Sequence, residues 1–230
     1  MTENPSLGFT RTAISALGAL LVGFFIEIGV VYWWRLLRPD QPIEGNDFLL
    51  ITEPLNEIFG QCLVFLAILW LYKRPVPQYL GLTWPRITKA ALPSFAASLG
   101  LAMIGVLYAA TAVKSPSDFA ELYQSAAKSG DLPLLWLTTG LLVPAGEEIV
   151  YRGFLFTGFV SSRLRIHGSV ILTALLWVAT HFFAGPTFLF YVFVLGIVLG
   201  YLRNATKSII PTFMVHAGIN IVVLFFSSQN

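Results

Sequence analysis

The sequence predicts an all-α fold, a polytopic membrane bundle of about seven transmembrane helices. Three observations carry this. Of the 230 residues, 56% are hydrophobic and 11% are charged, against about 25% charge in an ordinary soluble domain. The mean hydropathy is +0.75, and apolar runs near the roughly 20 residues that span a bilayer recur along the whole chain. The charges that remain gather between those runs, with basic clusters in every second gap.

Seven runs qualify, at 13–34, 48–72, 90–113, 132–160, 169–183, 188–202 and 208–226. The first follows Arg11 and continues to Trp34. It is too long for a signal-peptide core and has no small-residue cleavage site, so it reads as a retained anchor. The fourth is too long for one straight span and should kink, tilt or extend past the membrane. The fifth and sixth are short, with Gly185-Pro186 making the turn between them. No linker, repeat or low-complexity tract divides the chain. It reads as one continuous membrane domain, with N-terminal helices over 1–131 and a C-terminal core over 132–230.

Loop charge sets the orientation. Lys73, Arg74, Arg86 and Lys89 follow the second run, Arg163 and Arg165 the fourth, and Arg203 and Lys207 the sixth. The intervening loops carry Asp40, Glu44 and Asp47, then a mixture of Lys114, Asp118, Glu121, Lys128 and Asp131, then no charge around Gly185. The positive-inside rule puts the N-terminus and every second loop in the cytoplasm, and the C-terminus outside. Arg35 and Arg38 dissent and should snorkel to the outer interface. Trp33, Trp34, Trp70, Tyr72 and Trp84 fit interfacial belts. A net charge of +2 without a basic block gives no sign of a nucleic-acid partner. The single cysteine, Cys62, can form neither an internal disulfide nor a cysteine metal cluster. Glu53 and Glu57, one helical turn apart near the outer surface, read as solvated. Glu27 lies deep enough to need a partner.

The stretch 144–152, Pro-Ala-Gly-Glu-Glu-Ile-Val-Tyr-Arg, interrupts the fourth run. A charge at bilayer depth costs about 2.5–3.5 kcal/mol on the insertion scale and more on others, so two adjacent carboxylates need an offset. Arg152 is four residues after Glu148 on one helical face, with the acid N-terminal to the base. Glu147 points about 100° away and can serve a different neighbour. Pro144 and Gly146 predict a kink just before the acids. A Glu148–Arg152 ion pair that only joins helices would explain two of these residues; the second acid points to function.

Two more polar clusters interrupt apolar helices. The fifth run contains Trp177-Val178-Ala179-Thr180-His181, and the last contains His216-Ala217-Gly218-Ile219-Asn220. Each pair four apart shares a helix face. Counted from the cytoplasmic ends of their helices, Glu147 and His181 lie about 20 Å deep and His216 about 14 Å, at the α-helical rise. Acids, imidazoles and an amide at a similar level suit hydrolysis. A carboxylate can act as general base on water and a neutral His can share that role or bind a metal. Asn and a second His can donate to an oxyanion. With Glu148 anchored by Arg152, Glu147 is the freer base.

Glu147-Glu148-x-x-x-Arg152, then aromatic-x-x-x-His181, then His216-x-x-x-Asn220, in that order within membrane helices, resembles the CAAX prenyl endopeptidase family, also called the Abi or CPBP intramembrane protease family. The resemblance covers about the last 85 residues, from Pro144 onward. It departs in having Trp177 where the family usually has Phe. It implies an intramembrane endopeptidase, labelled metalloendopeptidase or glutamate-based. Glu147 and His181 would activate water, His216 and Asn220 would form the oxyanion side, and Glu148 and Arg152 would position their helix. In a metal version Glu147, His181 and His216 would supply nitrogen and oxygen ligands to Zn2+ with an open position; a glutamate-based mechanism needs none. No His-Glu-x-x-His, Gly-x-Ser-x-Gly or Gly-x-Gly-Asp occurs, which disfavours the site-two, serine and aspartyl types. The partners implied are the lipid bilayer and a membrane-associated peptide or protein, prenylated or bacteriocin-like. Two alternatives stand beside it: a proton- or ion-coupled transporter with a Glu/His relay, for which no symmetry between the halves is visible, and an inactive lipid- or partner-binding member.

Overall fold

The computed structural model describes residues 6–37, 61–111, 118–182 and 185–228. Over them the chain is helical with no strand. The helices are α1 (Phe9–Leu37), α2 (Leu63–Leu71), α3 (Val76–Leu80), α4 (Ala91–Thr111), α5 (Asp118–Ser129), α6 (residues 132–160, one run of consecutive helical segments), α7 (Arg165–Thr180), α8 (Pro186–Thr206) and α9 (Ile210–Ser227). The start of the second apolar run lies outside the described residues, as do Arg38, Asp40, Glu44, Asp47, Glu53, Glu57 and Lys114.

Two described helices, Phe9–Leu37 and Pro186–Thr206, are long and apolar enough to cross a membrane; three more apolar ones, Ala91–Gly105, Arg165–Thr180 and Ile210–Phe226, are shorter. Helix length therefore does not establish seven crossings. The 16-residue α7 rises about 24 Å, short of a hydrocarbon core of about 30 Å. It also starts before the expected boundary at 169 and stops at Thr180, so His181 caps the helix rather than lying inside it.

Helix ends follow local chemistry. Gly185 in extended conformation precedes Pro186, whose fixed φ suits a first turn. The Ser208 hydroxyl accepts the Ile210 N–H at 3.1 Å where α9 begins. Gly81 closes α3 in the left-handed region, φ +74, and a Cβ there would fall 2.5 Å from the Arg203 guanidinium.

The basic loops meet at one end of the bundle, as alternating charge requires. The segment after α3 runs along the α8–α9 junction: Gly81 O accepts Ile209 N–H at 2.9 Å, Thr206 O accepts Arg86 N–H at 2.8 Å, and Thr83 O accepts the Ser208 hydroxyl at 2.6 Å. The Thr157 hydroxyl on α6 donates to Tyr79 O at 2.9 Å. Ser6 ahead of α1 hydrogen-bonds Ser161 after α6. Lys73, Arg86, Lys89, Arg163, Arg165 and Lys207 are exposed there, whereas Arg203 is buried. Partial desolvation of its otherwise exposed side chain first, then the nearby Arg203 and Arg86 cations, hold the Lys207 ammonium below its usual range.

The core lies where α6, α7, α8 and α9 face one another, around Phe154, Trp177, Leu195, Leu199, Val215 and Ile219. α1 contributes few buried residues and presents Ile14, Leu17, Leu21, Phe24, Phe25 and Ile28 outward, as a lipid-facing helix does. α7 and α8 approach closely because Gly196 and Gly200, four apart on one face, meet Ala174 and Val170. A Cβ at Gly196 would sit 2.9 Å from Ala174 Cβ and 3.3 Å from the Trp177 ring. Gly196→Val is therefore expected to destabilise by about 1–3 kcal/mol, the range for overpacking. A melting curve in detergent checks this; an unchanged midpoint would mean that α7 and α8 are not packed at this glycine.

Candidate active site

Helix α6 is continuous through the acid pair but not α-helical throughout. Two π-helical stretches, Thr138–Leu142 and Glu148–Leu155, flank the α turn Val143–Glu147. The break expected at Pro144 takes this form. Val143 N–H bonds Thr138 O, the i→i+5 pairing of a π turn. Thr139 O would next need the N–H of residue 144, and proline has none. Asn220 on α9 fills the gap, its Nδ2 donating to Thr139 O at 2.9 Å. At the far end Phe156 N–H bonds Tyr151 O, and Arg152 O receives Arg203 Nε–H from α8 at 3.1 Å. Each π stretch is thus pinned by a side chain from a neighbouring helix, which fixes the acid-bearing turn between them.

Adjacent positions send the two acids to different partners, as the 100° rotation predicts. Glu148 is fully buried and Arg152 is 1% exposed. Arg152 Nη1 and Glu148 Oε1 are 3.0 Å apart. The same oxygen is 3.1 Å from His216 Nδ1. Glu147 Oε1 accepts the Trp177 indole N–H at 2.9 Å and lies 4.0 Å from His181 Nε2, while its Oε2 is 3.4 Å from His216 Nε2.

These contacts assign the imidazole protons. An ionised carboxylate only accepts, so His216 carries a proton on Nδ1 toward Glu148. His181 Nδ1 is 2.9 Å from Trp177 O, which places its proton there too. Both histidines then turn Nε2 toward Glu147. Nε2 of His216 and Oε2 of Glu147 face each other at 3.4 Å. His181 Nε2 is too far from Glu147 for a direct hydrogen bond, at a spacing that a water can bridge. The His181 side chain is 27% exposed and that of Glu147 7%, so the His181 side is the open edge of the cluster. Trp177, with its ring under Arg152 and edge-on to both histidines, forms the floor.

The structure thus brings Glu147, Glu148, Arg152, His181 and His216 into one chain of contacts across α6, α7 and α9. Asn220, one turn beyond His216, meets backbone instead. Sequence reasoning noted Trp177 only as the aromatic of its motif and took Arg203 for a loop charge, and both are buried beside the acid-bearing helix. The four-residue spacing of Trp177 and His181 was a usable signal for the first. Nothing local marks Arg203, because a buried and a solvated arginine at a helix end look alike in sequence.

A metal would need ligands that these residues do not supply together. Among the described residues no three His, Cys, Asp or Glu side chains are grouped so as to hold an ion. Glu147 Oε1 already accepts an indole N–H. The set does not fit a preformed three-ligand centre.

Residues 129–222 match the family model described as type II CAAX prenyl endopeptidase Rce1-like. No curated protein and no solved structure matches the chain. The matched segment contains every member of the buried cluster, and over it the chain is similar to the type II CAAX prenyl endopeptidases.

Proposed function

We propose that the chain is a multi-pass intramembrane endopeptidase that hydrolyses peptide bonds of membrane-associated substrates with a glutamate-activated water. The observation that carries the reading is Glu147, buried in a membrane helix, with an imidazole Nε2 at 3.4 Å on one side and another at 4.0 Å on the open side. A water between Glu147 and His181 donates one hydrogen to each, which leaves its lone pairs toward the substrate carbonyl. Glu147 takes the proton as the tetrahedral intermediate forms, with His216 as its exchange partner, and returns it to the leaving amine. Glu148 and Arg152 hold α6 in place and orient His216.

The oxyanion falls to Asn220. Both His216 nitrogens face carboxylates, whereas an amide has two N–H hydrogens and Thr139 takes one. Asn220→Asp removes the donor and adds a charge, and a loss of about 10²–10³-fold in kcat is expected, as for other oxyanion donors. Zinc analysis of the purified protein is expected to find no stoichiometric metal, and a chelator to leave the rate unchanged. Bound zinc that disappears in His216→Ala, with Asn220→Asp nearly silent, would replace this mechanism by a metal one.

Membrane proteins that accumulate uncleaved when Glu147→Gln replaces the parent in cells would name the substrate and reveal whether it is prenylated or bacteriocin-like. Purified protein in liposomes should cleave such a segment. Proton flux without cleavage in the same vesicles would establish a relay in place of a protease. The seven-crossing topology, with the N-terminus and the basic end in the cytoplasm, is part of the proposal; accessibility labelling of single cysteines at the described loops, 73–90 against 130–131, tests it.

A further inference from the structure

We infer that Trp177 is a positioning residue for the general base, acting through its indole N–H; this rests on the peptidase reading above. The ring is 1% exposed, and its N–H donates to Glu147 Oε1 at 2.9 Å. A carboxylate on a helix has two oxygens that a χ3 rotation exchanges. This one hydrogen bond removes the equivalence. It commits Oε1 to the indole and turns Oε2 toward His216 at 3.4 Å.

The same residue sets three other members of the cluster. Its face carries the Arg152 guanidinium, 4.2 Å from the ring centroid, the partner of Glu148. Its edge meets His216 with centroids 5.0 Å apart. Its carbonyl accepts His181 Nδ1–H, which leaves Nε2 as the acceptor toward the water site. Phenylalanine would keep the ring over which Arg152 lies and the carbonyl that binds His181, but it has no N–H. The role assigned to the indole nitrogen is thus separable from packing.

The test uses the full-length protein in detergent. Trp177→Phe is expected to lower kcat about 10-fold to 10²-fold, the scale on which a misplaced catalytic group acts, with KM and melting temperature unchanged. In a Glu147→Gln background the same change should add little, since the effect passes through the carboxylate. Protein labelled with 15N in its six tryptophans gives a readout that needs no cleavage. The indole resonance missing in Trp177→Phe should exchange slowly and move upfield in Glu147→Gln, where a charged acceptor becomes a neutral one. A parent that cleaves substrate while Trp177→Phe cleaves equally fast would overturn the positioning role alone. A rate loss that multiplies with Glu147→Gln, or an indole resonance indifferent to Glu147, would also overturn it. A parent that cleaves nothing sinks the peptidase reading, and this role with it.

Discussion

Glu147→Gln is expected to lower peptidase activity at least about 10²–10⁴-fold, the contribution of a positioned general base, while leaving the fold intact. The fold survives because glutamine keeps the shape and hydrogen-bonding valence of the site. Its carbonyl oxygen still accepts the Trp177 N–H held at 2.9 Å by Glu147 Oε1, and its NH₂ takes the place of Oε2 and donates to His216 Nε2. Only the capacity to take a proton from water is lost. His181→Ala should cause a comparable loss and add little to Glu147→Gln, since residues that work as a unit are not additive. Initial rates on a reconstituted substrate, beside a melting curve for each variant, check this. Losses that multiply would mean that the two side chains do not share one water.

Arg152→Ala is expected to destabilise the protein by about 3–5 kcal/mol, the cost of breaking a buried ion pair by removing one partner, and to abolish activity. Glu148 has no exposed surface. Its Oε1 receives both Arg152 Nη1 at 3.0 Å and His216 Nδ1 at 3.1 Å. Without the guanidinium, the Glu148 carboxylate keeps His216 but loses its ion-pair partner, and the Trp177 ring loses the cation stacked on it. Denaturation in mixed micelles, followed by helical circular dichroism, measures the loss. A wild-type transition with no activity would place Arg152 among the groups that touch substrate, and not among those that only hold α6 in place. Glu148→Gln should behave differently, because it removes the charge that needs a partner instead of leaving it uncompensated, and so should destabilise less than Arg152→Ala.

The sequence by itself determined that this is a helical membrane protein, where the apolar helices begin and end to within a few residues wherever both ends are described, and which six side chains to suspect. It could do so because hydropathy and helix periodicity are local: a run of 20 apolar residues, or two polar residues four apart, means the same thing whatever packs against it. The Glu148–Arg152 contact was legible for that reason, being one turn of a single helix. Loop charge likewise told which loops share an end of the bundle, and Gly81, Thr83 and Arg86 do meet Thr206, Ser208 and Ile209.

Only the tertiary structure decided which atoms face which. Trp177 to Glu147 spans 30 residues, Arg203 to Arg152 spans 51, His216 to Glu148 spans 68 and Asn220 to Thr139 spans 81. Such contacts depend on how far each helix is rotated about its axis. That rotation is set by close approaches such as Gly196 on Ala174 and by the π turns of α6, which shift the register of every side chain beyond them. Pro144 signals a disturbed helix, but not that the disturbance will be a π turn whose open carbonyl Asn220 then closes. For the same reason the spacing of His216 and Asn220 placed both on one face without revealing that the first would sit between two carboxylates and the second on a backbone oxygen.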